Sequence, residues 1–81
     1  MINMSDILVQ IRAAVETAIA ESKCEVTPGS AGHFVLTVTA SAFQGQSRLQ
    51  QQRMVLSAIA HLMKGDGAPV HAVDSLTTRL P

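Results

Sequence analysis

The chain has 81 residues, enough for one domain, and its 47% hydrophobic and 15% charged content is that of a folded globule rather than a disordered segment. Six basic residues balance six acidic ones, which argues against strong non-specific binding to a phosphate backbone. Two phenylalanines, with no tryptophan or tyrosine, leave out the stacking platforms of single-strand binders, and a lone cysteine leaves out an internal disulfide, so a reducing, cytoplasmic setting is expected.

The opening MINMSDILVQIR lacks the basic start and long apolar core of a signal peptide, and no apolar run reaches the roughly 18 residues needed to span a membrane. Ser5 is placed to cap a helix, with Asp6 in its first turn. Ile7, Leu8, Ile11, Val15, Ala18 and Ile19 then recur at helical spacing, which predicts an amphipathic helix over about residues 5–22. CEVT predicts a short strand at about residues 24–28, with Cys24 and Val26 inward, and TPGSAG predicts a tight turn. HFVLTVT alternates over about residues 33–39: Phe34, Leu36 and Val38 face the core, and His33, Val35, Thr37 and Thr39 face away. These two runs form an antiparallel hairpin.

A second helix is predicted over about residues 47–64, with Ser47 and Gln50 as a capping box and Leu49, Val55, Ile59, Leu62 and Met63 as its apolar stripe. His61 falls opposite that stripe, and Gly65-Asp66-Gly67 supplies the stop. The last strand candidate is PVHAVDSLTTRL, with the strand at about residues 70–78. Simple alternation puts Val70, Ala72 and Leu76 on one face and His71, Val73, Ser75 and Thr77 on the other. Asp74 interrupts the inner face, which predicts a bulge or an edge position. Two strands joined through a helix run parallel with a right-handed crossover, so the expected fold is α+β: a three-stranded mixed sheet with both helices on one face and the other face open.

That topology gives the two strand-opening histidines a shared location. If the strands are parallel neighbours, His33 and His71 lie at the same end of the sheet, on its open face. They are then either ordinary surface residues or an incomplete metal site, since two imidazoles fall short of the four ligands that zinc and iron–sulfur centres usually take. Cys24, at the opposite end and inward, reads as a buried structural thiol. There is no paired carboxylate at working spacing, no nucleophile beside a base and no phosphate-cradling glycine loop, so no enzyme activity is expected. Gly29-Ser30-Ala31-Gly32 matches the GxxG of a KH module but falls in a hairpin instead of between helices, and reads as a turn.

Gly32-His33-Phe34, Phe43-Gln44-Gly45, the helix start at Ser47 to Arg53, and Val70-His71-Ala72-Val73 together resemble the BolA-like proteins over nearly the whole chain, residues 1–81. The resemblance implies an αββααβ arrangement akin to a class II KH fold, with a further short helical turn around residues 65–69. It also implies a non-catalytic partner of monothiol, CGFS-type glutaredoxins, the two proteins bridging a [2Fe-2S] cluster to which the glutaredoxin and its glutathione contribute sulfur. The isolated protein is then expected to carry no cofactor, and to be a monomer or weak dimer.

On that resemblance the histidine of the VHAV element, His71, is a cluster ligand. A second ligand commonly comes from the hairpin loop, where His33 is the nearest match. The chain departs from the family in two places. Gln51 and Gln52 stand where many members carry a basic run, and the Thr-Pro and tryptophan-containing tail of many members has no counterpart after Leu80-Pro81. Some relatives are described as transcriptional regulators. The alternative expectation is therefore DNA binding through Arg48, Arg53, Lys64 and Arg79.

Overall fold

The computed structural model describes residues 3–81. Helix α1 spans Met4–Ala18 and is capped by Asn3, not Ser5: the Asn3 side-chain oxygen accepts the Asp6 N–H at 3.0 Å, which moves the start of the helix earlier. It also ends earlier than the periodicity indicates. Ile19 is buried but already extended, the Ser22 hydroxyl donates to its carbonyl at 2.6 Å, and Glu21 adopts φ 55° to turn the chain into the sheet. The apolar spacing registers that Ile19 is inside, whatever its backbone conformation.

Strands β1 (Ser22–Pro28) and β2 (His33–Ala40) form the antiparallel hairpin. Strand β3 (Ala72–Arg79) pairs parallel to β2, which makes β2 the central strand. Phe34, Leu36 and Val38 are fully buried and Cys24 nearly so, as the alternation requires. With Ile11 and Val15 from α1, and Phe43, Val55 and Ile59 from the crossover, they form the core. Both phenylalanines lie in that core, so neither is free to stack on a ligand.

Helix α2 (Arg48–Ala58) begins with the expected capping box. The Gln50 N–H donates to Ser47 Oγ at 3.1 Å, and the Ser47 N–H donates to Gln50 Oε1 at 2.9 Å. Its end differs from expectation: after Ala58 the chain tightens into a short 3-10 helix, Ala60–Leu62. Three-residue periodicity keeps Ile59 and Leu62 on one side, both buried. The additional helical turn therefore lies at 60–62, while residues 65–68 form a turn closed by the Ala68 N–H on the Gly65 carbonyl, with Gly65 at φ 85°.

Leu49 is 55% exposed and does not belong to the apolar stripe of α2. The inner face of the first turn is carried by Gln51. Its side-chain amide donates to the carbonyls of Phe43 (3.3 Å) and Gln46 (3.0 Å), and its side-chain oxygen accepts the Thr78 hydroxyl at 2.5 Å. One polar residue thus joins the segment after β2, α2 and the end of β3. Gln51→Ala is expected to lower stability by about 1–3 kcal/mol, because two partly shielded hydrogen bonds and one exposed one disappear together. Urea unfolding of the free protein reads this directly.

The bulge expected at Asp74 is present. Phe34 pairs with Val73 and Val35 with Ser75, so Asp74 is the extra residue. The bulge also changes the facing of β3. Val73 packs against the core and Ala72 pairs with the outward-facing His33, the reverse of simple alternation before the bulge, while Leu76 after it packs inside as expected. Among the described residues no helix is long and apolar enough to cross a membrane.

Candidate functional site

The hairpin turn and the entry to β3 meet at one end of the sheet. The turn is closed by two backbone bonds at 2.8 Å: the Gly29 N–H donates to the His33 carbonyl, and the His33 N–H donates to the Ser30 carbonyl. The Gly32 carbonyl then accepts two donors from the other strand, the N–H of His71 at 2.7 Å and that of Ala72 at 3.1 Å. With His33 opposite Ala72 in the parallel register, His33 and His71 do lie at the same end.

His71 itself differs in one respect from the expectation. It precedes β3, in irregular backbone directly after fully buried Val70, so the strand's alternation does not set its direction. Gly32 sets it. Gly32 has φ 77°, and a Cβ there would lie 2.6 Å from both Cγ and Nδ1 of His71. The imidazole rests on bare glycine backbone and is otherwise exposed. A tight left-handed turn and a close ring approach thus coincide at one residue, and both exclude a side chain.

His33 faces away from the core at the start of β2, and its Nδ1 lies 2.8 Å from Asp74 Oδ1. The bulge that makes Asp74 extra in the ladder turns its carboxylate toward the outer face. The other oxygen, Oδ2, passes over Gly29, 3.7 Å from where a Cβ would be. The side chains of His33 and Asp74 are 38% and 49% exposed, so solvent screens the pair and its contribution to stability is small. Asp74 was legible in the sequence as a strand irregularity; its contact with a residue 41 positions away was not.

Among the described residues no group of three or more His, Cys, Asp or Glu side chains is gathered as a metal cage. The donors at this end are two imidazoles on glycine-lined backbone, one of them backed by a carboxylate. Cys24 is not among them. It pairs with Val38, five residues along β2 from His33, which is roughly 16 Å away at strand spacing. Its N–H donates to Glu16 Oε2 at 2.9 Å, and its thiol is buried.

Burial, helped by the Glu16 carboxylate and more weakly by Glu25 against an opposing Arg12, pushes the Cys24 thiol from 9.0 up to about 11. The folded state therefore holds this proton more tightly than the unfolded chain. The corresponding stability is complete below pH 9 and is lost as pH rises through about 11. Cys24→Ala is expected to flatten the alkaline fall of the stability curve by about 2 kcal/mol over that range, measured as the difference from wild type in denaturant titrations.

The four basic residues of the DNA-binding alternative are strung along the crossover and the end of β3. Arg48 and Arg53 are exposed on α2, Lys64 follows the 3-10 helix, and Arg79 closes β3. The Gln51–Thr78 contact sets the start of α2 beside the end of β3, so Arg48 and Arg79 sit at the end far from the histidines. Lys64 comes after Leu62, whose carbonyl accepts the Val70 N–H at 3.2 Å, and so lies toward the histidine end.

Comparison with known proteins agrees with this architecture. The chain is 43% identical over 56 residues to human BolA-like protein 1, an alignment that covers 69% of this chain and 38% of the human protein. It thus spans well under half the length of that relative. Among solved structures it is similar to a BolA protein homologue from Coxiella burnetii, with TM-score 0.74 and 32% identity over 100% of this chain and 94% of the other. It is also similar to mouse BolA1, with TM-score 0.70 and 30% identity over 93% of this chain and 65% of the other. The family model for BolA-like protein matches residues 8–80, which take in both histidines, the Gly32 cradle and the whole sheet, and the chain belongs to the BolA-like family.

Proposed function

We propose that the protein is a non-catalytic adaptor in iron–sulfur cluster handling that pairs with a monothiol glutaredoxin. On this reading a [2Fe-2S] cluster is held between the two proteins as cargo, with His71 and His33 as the ligands from this chain. The observation that supports it is the pair of imidazoles at one end of the sheet, one resting on the Gly32 backbone. Their side chains are reachable from solvent, and with these two imidazoles as the donors among the described residues a partner must complete the coordination.

A neutral imidazole can donate a ring-nitrogen lone pair to iron, and histidine in place of thiolate raises the potential of a [2Fe-2S] centre. Reconstituting an equimolar mixture with a monothiol glutaredoxin, iron, sulfide and glutathione tests the reading. A visible spectrum different from that of the cluster-bridged glutaredoxin alone is the expected result, and an unchanged spectrum with no heterocomplex would sink it. Assembly should depend on iron and glutathione and resist salt, whereas phosphate-driven DNA binding would weaken steeply as salt rises.

A further inference from the structure

We infer that Asp74 is a positioning residue for His33: through the bulge in β3 it holds the Nδ1–H and so leaves Nε2 as the atom that donates to metal. This rests on the cluster-handling reading for the identity of the metal, but its geometric part stands on the apoprotein. An ionised carboxylate only accepts hydrogen bonds, so the 2.8 Å contact from His33 Nδ1 to Asp74 Oδ1 requires the proton on Nδ1. In the neutral ring the lone pair is then on Nε2, at the far side of the imidazole from Asp74. The hydrogen bond to one ring nitrogen fixes both the tautomer and the ring orientation of a ligating histidine.

Two features of the fold bring the carboxylate and the ring together. Asp74 is the residue left over where Phe34 pairs with Val73 and Val35 pairs with Ser75, and a bulge of this kind re-aims a side chain. His33 is held in place by the two backbone bonds that close the hairpin turn. The pair is too exposed to matter much for folding, so a purely structural role predicts almost nothing on its removal.

The test uses nitrogen-15 NMR of the apoprotein at a pH where the imidazole is neutral, together with cluster retention in the reconstituted glutaredoxin complex. In wild type His33 should be the Nδ1–H tautomer. Asp74→Ala should shift it away from that form and weaken cluster retention by about 10- to 100-fold, the usual range for loss of a partner behind a metal ligand. Asp74→Asn, which keeps an accepting oxygen, should restore the tautomer and most of the retention. Melting temperatures of all three proteins should be alike. An unchanged His33 tautomer in Asp74→Ala overturns the positioning role whatever the cluster does. If wild type assembles no mixed cluster, the proposed function fails and the ligand half of this inference fails with it, while the tautomer measurement still decides the rest.

Discussion

Replacing His71 with alanine is expected to abolish the mixed-ligand spectrum of the glutaredoxin complex while leaving the fold intact. His71 is exposed, precedes β3 and covers only the Gly32 backbone, so truncating it removes little packing, and its effect on stability should stay within about 0.5 kcal/mol. Its backbone N–H keeps its 2.7 Å bond to Gly32 whatever the side chain, so the entry to β3 is preserved. On the proposed reading the imidazole is one of the two donors this chain contributes, and among the described residues no group of three or more His, Cys, Asp or Glu is gathered there to replace it. Visible absorption and circular dichroism of the reconstituted pair, beside a melting curve of the free variant, separate these effects. His33→Ala should weaken the signal less than His71→Ala does. A normal cluster spectrum in His71→Ala would show the ligand assignment to be wrong.

Gly32→Ala should be the most damaging single-methyl change in the chain, for two separate reasons. At φ 77° any side chain pays the left-handed penalty of about 1–2 kcal/mol. The new Cβ would also lie 2.6 Å from Cγ and Nδ1 of His71, and 3.1 Å from its Cβ. These atoms include the base of the side chain, so rotation alone does not clear them and the backbone must move. That backbone carries the two N–H bonds from His71 and Ala72 that start the parallel ladder. A total loss of about 2–4 kcal/mol is expected, a large part of the stability of a domain this small.

Gly65→Ala is the control. Gly65 has φ 85° but nothing within 4 Å of the added Cβ, so it should show the conformational penalty alone. The difference between the two melting temperatures measures the His71 contact, and equal losses would mean that the imidazole does not rest on Gly32. Gly32→Ala should in addition displace His71 and weaken cluster binding, which Gly65→Ala should not.

The parts of this protein legible in its sequence are those fixed by near neighbours. The alternation of HFVLTVT sets the inward Phe34, Leu36 and Val38, the Ser47–Gln50 spacing sets the start of α2, and an intervening helix favours β3 running parallel to β2. From the parallel pairing alone, His33 and His71 fall at one end of the sheet. Periodicity reports which residues are buried more reliably than which backbone carries them, so Ile19 and Leu62 were correctly inside although α1 ends at Ala18 and α2 at Ala58.

What only the tertiary structure decided depends on contacts between distant segments. Gln51 reads as a surface glutamine in a polar run, and it acquires its role only because the segment after β2 and the end of β3 bring two carbonyls and a hydroxyl to it. Asp74 reads as a flaw in a strand until the bulge turns it onto His33. The direction of His71 is decided by the empty space above Gly32, and that space exists only once the hairpin and β3 are side by side. Hydrophobic pattern determines which face is inside, because burial of apolar area is large and indifferent to direction. Hydrogen bonds and close contacts decide the orientation of the polar groups, because they need a particular partner at a particular distance, and only the assembled fold supplies it.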